Sequence, residues 1–347
     1  MRSVKRATIR DVATAAGVSI ATASKALNDT GRIGAETRAR VKRVAAAIAF
    51  RPNALARGLL AKRSFTIGLL TNDTYGRFTL PVMAGISRAL ADHRISVFLC
   101  AIDDDSERGQ IQVEAMLDKQ VDGIIASGKR VDRRLPVDLA HLPVPVVYAF
   151  TEGTPDAVTL RSDDAGGAHL AVEHLARLGR RRIAHITGPE SFFSVRERAG
   201  AYRALAGDAI HVLFGPWSEA WGHSAVAHLW DAPDPPDALF CGNDQIARGA
   251  VDALRERGLA VPGDVSVVGF DNWEIVAAQT RPPLTTVDMN LRELGRQAGL
   301  IVRALADGES VEPGVRKLPC RLVVRESCGG SPAIAGNGAS RIREETP

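Results

Sequence analysis

The 347-residue chain has 45% hydrophobic residues, which supports a sizeable core in two or three folding units and excludes a single small domain. Its net charge of +4 is unevenly divided: residues 1–62 hold 13 Lys and Arg against 3 Asp and Glu and carry +10, which leaves −6 on the remaining 285 residues. A basic segment on a mildly acidic body is typical of a polyanion-binding protein, although an ordinary solvated basic face is the simpler alternative.

Residue patterns that would indicate a metal site, a disulfide framework or a membrane segment do not occur. The four cysteines, Cys100, Cys241, Cys320 and Cys328, include no Cys-x-x-Cys pair, and the eight histidines form no His-Glu-x-x-His motif. No stretch approaches the roughly 20 apolar residues of a membrane helix. The basic start, Met1–Arg10, lacks the apolar core of a signal peptide. We therefore expect a soluble cytoplasmic protein without a metal or another cofactor.

The basic segment begins with the pattern of a helix-turn-helix. Thr8 and, three residues later, Asp11 resemble a capping box, and the apolar residues that follow fall on one helical face. Gly17 interrupts this pattern, as a tight turn requires. Ser19 then caps a second helix that runs to about Asn28. Two short helices joined by a glycine turn are typical of a helix-turn-helix.

A third helix completes the basic segment. Val41, Val44 and Ile48 lie at the spacing of one helical face. The helix should end before Pro52, because a residue that precedes proline avoids the helical region. We therefore predict a small all-α head over residues 1–52.

Residues 64–328 alternate between strand-like and helical patterns in two successive sets. Strands that alternate with helices indicate parallel sheets covered on both faces, so the two sets predict an α/β core of two doubly wound lobes with a cleft between them. Residues 287–325 should return to both lobes, and the Gly-, Ser- and charge-rich tail, residues 329–347, should be disordered. The strands are predicted at residues 65–70, 95–100, 121–126, 144–150, 182–187, 209–214, 237–241 and 265–269, and the helices at 81–92, up to 119, 163–179, 194–206, 218–230 and 243–257.

The core lacks the nucleotide-binding loops of enzymes with related folds. No strand is followed by Gly-x-Gly-x-x-Gly, and no Gly-x-x-x-x-Gly-Lys-Ser/Thr loop occurs. The segment Asp164-Ala165-Gly166-Gly167 contains glycines at the wrong spacing. No Ser/His/Asp or Cys/His set separates from structural residues, so we expect no enzyme activity.

Several short stretches carry a more specific signal. Residues 8–13 (TIRDVA), 16–19 (AGVS), 22–28 (TASKALN) and 51–57 (RPNALAR) closely resemble the head and hinge of the lactose-repressor (LacI/GalR) family. The resemblance continues to about Cys328 and so covers roughly nine-tenths of the chain, which no short chance motif does. It implies a DNA-binding regulator whose two-lobed core has a periplasmic-binding-protein-like fold.

The resemblance implies that the second helix enters the major groove of DNA and reads bases through Ile20, Ala21 and Lys25. Lys25 can donate to guanine O6 and N7, whereas Ile20 and Ala21 offer only apolar contacts, for instance to a thymine methyl group. The alternative for Ile20 is packing inside the head. Polar residues that position phosphates add little sequence information. Those residues are Thr22, Ser24 and Asn28, and the predicted DNA-binding set is completed by Thr8, Ser19, Asn53, Ala56 and Leu59.

Residues 53–63 resemble the family's hinge, which implies a short helix that forms when two chains meet on DNA. A leucine from each hinge then wedges into the minor groove and kinks the DNA. Leu59 matches this leucine, and Leu60 is the alternative. Gly58 lowers the stability of the isolated hinge helix by about 1 kcal/mol relative to Ala. The simpler interpretation is that both leucines dock the linker on the core.

An effector site between the two lobes is also implied by the resemblance. Asn243 and Asp271 match hydroxyl-binding positions at the ends of strands, where ligands of such sheets lie. Asp163 matches an acidic position, and Phe78 and Trp217 match positions that place an aromatic ring against the effector. Carboxylates, an arginine and an aromatic face suit a sugar. The structural alternatives are that Asp271 caps a helix and that Trp217 is a core residue.

The arginine of this site is ambiguous in the sequence. Arg196-Glu197-Arg198 resembles the family's effector arginine stretch, but it is one residue short before Gly200, so either arginine could face the cleft. We take Arg196 as the effector-binding residue and keep Arg198 as the alternative.

Together these features predict a sequence-specific transcriptional regulator, more precisely a repressor, that binds a near-palindromic operator as a homodimer or tetramer. A small-molecule effector, a sugar in the first instance, controls its DNA affinity allosterically, and a purine-like corepressor is the alternative. An alternative of a different class is a sugar-binding protein whose head has lost its DNA function. The intact basic head with Lys25 favours the regulator.

Overall fold

The computed structural model describes residues 7–50, 63–206 and 211–330. Of the hinge predicted at residues 53–63, only Arg63 belongs to this part, and of the predicted tail only Gly329 and Gly330 do. The helix of the hinge and the disorder of the tail therefore stay predictions.

The chain divides into two compact units, Met1–Phe65 and Thr66–Pro347. They correspond to the predicted head with its linker and to the predicted core. No described helix combines the length and the apolar character that a membrane-spanning helix requires.

Three helices form the described part of the head, residues 7–50, as predicted. Thr8 and Asp11 form the capping box, in which the Thr8 amide donates to Asp11 Oδ2 at 2.7 Å. Gly17 ends the first helix in the left-handed conformation, with a φ of 61°, which glycine adopts without strain. The helices are α1 (Ile9–Ala16), α2 (Ile20–Leu27) and α3 (Ala35–Ala47).

The centre of the head is apolar and small. Val12, Ala23 and Val41, one from each helix, are fully buried. The short side chain of Ala23 lets α2 pack closely on α1 and α3. The residues on the opposite face of α2 are not part of this core.

A six-stranded parallel sheet forms the first lobe of the core. Its strands run in the order β2-β1-β3-β4-β5-β11, where β1 is Thr66–Thr71, β2 Ser96–Ala101, β3 Gly123–Ser127, β4 Val146–Ala149, β5 Val158–Ser162 and β11 Gly314–Leu318. The helices of this lobe are α4 (Thr79–Ala91), α5 (Ser106–Asp118) and α11 (Leu291–Ala306). The strand β3 is buried along its whole length, as expected of a parallel sheet covered on both faces.

The second lobe repeats this architecture. Its strand order is β7-β6-β8-β9-β10-β12, and all pairs are parallel except β10 with β12. The strands are β6 (Ile183–Thr187), β7 (His211–Phe214), β8 (Ala238–Cys241), β9 (Ser266–Asp271), β10 (Thr285–Asp288) and β12 (Arg321–Val323). The helices are α6 (Asp164–Arg177), α7 (Phe193–Ala206), α8 (Glu219–Trp230), α9 (Asp244–Glu256) and the short α10 (Glu274–Ala277). The fold class predicted from the sequence is confirmed.

Two strands of the first lobe, β5 and β11, were not predicted. β5 contains Thr159, Arg161 and Ser162, so it lacks the continuous apolar run by which a buried parallel strand is recognised. It is nevertheless largely buried, because β4 and β11 flank it. Two of its polar side chains contact a crossover or the second lobe: Ser162 Oγ donates to the carbonyl of Met289, and the guanidinium carbon of Arg161 lies 4.7 Å from the centroid of the Phe193 ring.

Within the described residues, the chain crosses between the lobes three times, after β5, after β10 and after β11. The three crossovers lie side by side and are joined by hydrogen bonds. Ser162 Oγ donates to the carbonyl of Met289 at 2.8 Å, and the Asp163 amide donates to the carbonyl of Leu318 at 2.8 Å. The expectation that residues 287–325 return to both lobes is confirmed.

Two glycines let α4 and α11 touch at their backbones. A Cβ at Gly85 would lie 1.9 Å from the carbonyl oxygen of Arg292, and a Cβ at Gly295 would lie 2.0 Å from that of Val82. Gly200 in α7 is the opposite case, because a Cβ there would have no neighbour within 4 Å.

We predict that Gly85→Ala destabilises the core by at least about 1–3 kcal/mol, since the two helices must separate. The matched variant Gly200→Ala should leave the stability unchanged or raise it by up to about 1 kcal/mol, because alanine is the better helix former. Urea unfolding of the two variants measures both changes. Equal effects of the two substitutions would contradict the close helix contact.

Candidate functional site

The helix α2 presents three of the predicted base-reading residues on its outer face. Ile20 is 46% exposed, and Ala21 and Lys25 are exposed as well, whereas Ala23 and Ala26 face the core of the head. The alternative in which Ile20 packs inside the head is therefore wrong. The outer face of α2 can therefore enter a groove of DNA, where Lys25 offers a positive charge and Ile20 and Ala21 offer apolar contacts.

The Lys25 side chain is supported from the loop that follows α2. Gly31 has a φ of 68°, and a Cβ there would lie 3.1 Å from Lys25 Cδ, so this glycine leaves room for the aliphatic stem of the lysine. Asp29 ties the same loop to α3 through Lys42 at 2.7 Å and Arg38 at 2.9 Å. The hydrogen bond from Lys42, followed by that from Arg38, holds the pKa of Asp29 below its usual value.

Lys25 itself forms no ion pair with any residue that the structure describes. Its charge is thus presented to solvent from α2, beside a loop that is held in place. This is the arrangement that a DNA-contacting lysine requires, because a phosphate or a base acceptor can replace only water there.

Several residues of the predicted DNA-binding set form hydrogen bonds with one another within the head. Ser19 caps α2 by accepting from the Thr22 amide at 3.1 Å, and the hydroxyl groups of Ser19 and Thr22 lie 2.9 Å apart in a hydrogen bond. Asn28 Nδ2 donates to Ser24 Oγ at 3.5 Å. The contacts of these residues with DNA stay predictions, and Asn53, Ala56 and Leu59 lie outside the described residues.

A buried arginine forms the floor of the cleft between the lobes. Arg198 on α7 is 4% exposed. Its Nε and Nη2 donate to Asp164 Oδ1 at 2.8 and 2.6 Å, and Nη1 donates to the Gly242 carbonyl at 2.6 Å. Asp271 Oδ1 lies 4.0 Å from Nη1, and the guanidinium carbon lies 3.5 Å from the centroid of the Phe270 ring.

The preference for Arg196 over Arg198 is therefore wrong. Arg196 is exposed, and its Nη1 donates to the carbonyls of Glu190 and Ser191 at 3.2 and 2.9 Å. The helical period explains the difference, because Arg198 lies on the same face as the buried Val195 and Tyr202. That spacing was present in the sequence and distinguishes the two arginines.

The acidic position is shifted by one residue in the same way. Asp163 caps α6 by accepting from the Gly166 amide at 3.2 Å, and it does not line the cleft. Its neighbour Asp164 is 3% exposed and holds Arg198. A helix cap lies outside the first turn while the next residue enters it, so two adjacent carboxylates point in different directions.

The ends of β8 and β9 place two of the predicted residues at the floor. Asn243 is 2% exposed and caps α9 by accepting from the Ile246 amide at 2.8 Å. Asp271 has a φ of 102° and an almost buried side chain. Burial raises the pKa of Asp271, and the guanidinium groups of Arg77 and Arg198 oppose the rise.

Asp244, directly behind this floor, is another buried carboxyl group. It accepts from the Trp273 amide at 2.6 Å and from Thr286 Oγ1 at 2.5 Å. Burial, reinforced by the charge of Asp271, raises the pKa of Asp244 to about 8. The floor is thus backed by a carboxyl group whose hydrogen bonds are made within the second lobe.

Aromatic rings line the cleft on both lobes. Phe78 and Phe150 of the first lobe stack with centroids 4.8 Å apart, and Phe192 and Trp217 of the second lobe meet edge to face at 5.9 Å. Trp217 lines the cleft, and it also packs against the apolar core of its lobe. Phe150 and Phe192 were not predicted, because isolated aromatic residues carry no periodic signal.

Two arginines of the first lobe also line the cleft and were missed. Arg130 makes a two-point contact with Asp132, at 2.9 and 2.8 Å, and its guanidinium carbon lies 3.6 Å from the centroid of the Phe192 ring in the second lobe. Asp132 Oδ2 in turn accepts from the Phe193 amide across the cleft at 3.0 Å. The second missed arginine is Arg77, which contacts Asp271. Both arginines lie in loops, where sequence spacing gives no direction for a side chain.

Two family models match the chain. The model described as bacterial regulatory proteins, lacI family, matches residues 8–53, and the model described as a periplasmic binding protein-like domain matches residues 172–328. Catabolite control protein A of Priestia megaterium is 31% identical over 328 residues, which are 92% of this chain and 98% of that protein. The HTH-type transcriptional repressor CytR of Escherichia coli strain K12 is 31% identical over 334 residues, which are 94% and 97% of the two chains. The chain belongs to the LacI family of bacterial regulatory proteins.

Solved structures of LacI-family proteins have the same fold. The Lac repressor dimer bound to operator and the anti-inducer ONPF matches with a TM-score of 0.72 and 30% identity, over 93% of this chain and 99% of that one. The complex of the transcriptional regulator CelR with cellobiose matches with a TM-score of 0.64 and 29% identity, over 93% and 100% of the two chains. This LacI-family chain is therefore a DNA-binding transcriptional regulator.

In this LacI-family chain, four of the six predicted effector residues line one cleft. They are Phe78, Trp217, Asn243 and Asp271. Asp163 and Arg196 lie elsewhere, and Asp164 and Arg198 take their places in the charged floor. Contact of any of these residues with an effector stays a prediction.

We predict that Arg198→Ala destabilises the core by about 3–5 kcal/mol, because it leaves the buried Asp164 without its cation and Asp271 with Arg77 alone. Arg196→Ala is the matched control, and it should change the stability by less than about 0.5 kcal/mol, as surface substitutions usually do. Urea unfolding at constant pH measures both. A larger loss for Arg196→Ala than for Arg198→Ala would restore the original assignment.

Proposed function

We propose that this LacI-family regulator is a homodimeric repressor that binds a near-palindromic operator through α2 and responds to a small hydroxyl-rich effector, a sugar, bound between the lobes of the core. The observation that carries the effector half is the buried cluster of Arg198, Asp164 and Asp271 below aromatic rings of both lobes. Because its partner is genomic DNA, we place the protein in the cytoplasm. We assign it no catalytic role, in line with its repressor relatives.

The DNA half is supported by charge and by exposure. Residues 1–62 carry +10, and a cationic surface provides the sequence-independent part of the affinity for DNA. The outer face of α2 provides the sequence-dependent part through Ile20, Ala21 and Lys25. The Lac repressor, which has the same fold, was solved as a dimer on its operator, and this supports a dimer with two symmetric half-sites here.

The effector half is supported by the chemistry of the cleft. Carboxylate oxygens accept hydrogen bonds from the hydroxyl groups of a sugar, and a guanidinium donates hydrogen bonds to the hydroxyl oxygens. An aromatic face packs against the apolar C–H side of the sugar ring. The floor offers Asp271 and Arg198, and the walls offer Phe78 and Trp217. The CelR complex, with the same fold, contains the sugar cellobiose.

A flat nucleobase-like effector is the second candidate. The stacked pair of Phe78 and Phe150 and the edge-to-face pair of Phe192 and Trp217 also offer apolar surfaces to a planar ring. A thermal-shift screen of the full chain against a panel of neutral sugars, nucleosides and nucleobases separates the candidates, because a ligand that binds only the folded state raises its melting temperature.

For DNA reading, we predict that Lys25→Ala costs about 1–3 kcal/mol on the preferred operator and relaxes specificity at one base pair in each half-site. The operator is obtained by selection from random DNA with the wild-type protein, and gel-shift titrations give the affinities. Lys119→Ala, which removes an exposed charge from the core, is the control and should have no effect. A uniform loss on all DNA sequences would make Lys25 a phosphate contact instead.

For effector binding, we predict that Asp271→Asn weakens the best ligand of the screen by a few kcal/mol, because a charged hydrogen bond in a closed site is lost. Asp252→Asn changes a carboxylate that pairs with Arg255 outside the cleft, and it should leave the ligand affinity unchanged. Calorimetric titration with and without operator also tests the allosteric part, since each partner must change the affinity of the other by the same factor. Equal ligand affinities in the two titrations would leave the core as a passive sensor.

A further inference from the structure

One side chain of the first lobe reaches across the cleft and contacts three residues of the second. Arg77 forms an ion pair with Asp271, and its Nη1 donates to Gln245 Oε1 at 3.0 Å. Its guanidinium carbon also lies 4.7 Å from the centroid of the Trp273 ring. These contacts join the two lobes directly.

The loop that carries Arg77 is fixed to the first lobe. Asp73 Oδ2 accepts from the amides of Phe78 and Thr79 at 2.7 and 2.9 Å, which holds the start of α4. Phe78 stacks on Phe150 of the same lobe. Movement of the first lobe therefore carries the Arg77 side chain with it.

The receiving group is equally fixed to the second lobe. Asp271 ends β9, and behind it lies Arg198, which Asp164 holds from the other side. Arg77, Asp271, Arg198 and Asp164 thus form a row of alternating charges that runs from one lobe into the interior of the other. Without Arg77, Arg198 alone would balance the two carboxylates.

Solvent has little access to the ion pair. The side chains of Arg77 and Asp271 are 17% and 7% exposed, so salt screens their attraction much less than that of a surface pair. Breaking such a pair leaves two poorly hydrated charges, which is more costly than losing an exposed ion pair. The contact therefore favours a closed arrangement of the lobes.

We propose that Arg77 is an interlobe latch, whose ion pair with Asp271 closes the cleft, and that an effector binds there only if it gives Arg77 an acceptor in place of Asp271 or shares that carboxylate with it. The latch makes Arg77 a specificity-determining residue, because a ligand without suitably placed oxygen atoms would leave a buried guanidinium unpaired. The inference goes beyond the proposed function, and its test needs neither an effector nor DNA.

The latch is tested on the purified full-length protein with Arg77→Ala. Opening of the cleft should increase the radius of gyration in small-angle X-ray scattering, and it should also make Trp273 more accessible to acrylamide, so that fluorescence quenching rises. The quenching change is assigned to Trp273 by repeating the measurement with Trp273→Phe in both backgrounds, where the difference should disappear.

Two further variants separate a latch from a general structural role. Gln245→Ala removes only the second partner of Arg77 and should produce a smaller change in the same direction. Arg77→Lys keeps the charge but loses the planar two-partner geometry, so it should lie between the wild type and Arg77→Ala. Arg255→Ala, which breaks an exposed pair within α9, is the control and should change neither measurement.

The latch is overturned if Arg77→Ala leaves both the radius of gyration and the Trp273 quenching at their wild-type values. It is also overturned if Arg255→Ala produces the same changes as Arg77→Ala. Because operator binding is measured separately, loss of the latch with intact operator binding would leave the proposed function standing.

Discussion

A buried guanidinium is the constraint on which the cleft depends. Arg198 is 4% exposed, and an uncompensated charge at such depth costs several kcal/mol. The fold therefore brings Asp164 from the start of α6 and Asp271 from the end of β9 to the same point. Since these residues are far apart in the chain, the charge balance at Arg198 requires that α6, α7 and the second sheet be assembled in one arrangement.

The same cluster lies beside the three crossovers between the lobes. Asp164 follows the first crossover directly, and Arg198 Nη2 lies 3.9 Å from Met289 Sδ in the second. Ser162 and Asp163 join the first crossover to the other two through backbone carbonyls. The charged floor therefore lies next to the segments that join the two lobes. This position beside the crossovers suits the cluster of Arg198, Asp164 and Asp271 to effector sensing.

Sequence reasoning recovered what depends on periodic or local signals and missed what depends on tertiary context. The capping box of Thr8, the glycine turn and the exposed face of α2 follow from rules that act within a few residues. Arg198 was recoverable from the helical period that it shares with Val195 and Tyr202, so the choice of Arg196 neglected a signal that was present. Arg77 was not recoverable, because a loop side chain obtains its partner only when the two lobes meet. The strand β5 was hidden for a related reason, since its polar residues face the lobe contact.

The geometry also limits how an effector can act. A ligand shifts the equilibrium between lobe arrangements only by the difference in its affinity for them. Where a neutral hydroxyl group replaces the carboxylate of Asp271 as the acceptor for Arg77, it stabilises Arg77 less, because hydrogen bonds between charged partners are the stronger ones. Hydrogen bonds of this kind therefore compensate for only part of the lost ion pair. Contacts with the aromatic walls have to supply the rest of the binding free energy. Phe78 and Phe192 stand on opposite lobes, so only a ligand that spans both walls gains this contribution, and it gains it in one lobe arrangement alone. The polar floor thus determines which functional groups the effector needs. Contact with aromatic rings of both lobes makes effector binding favour one arrangement of the lobes.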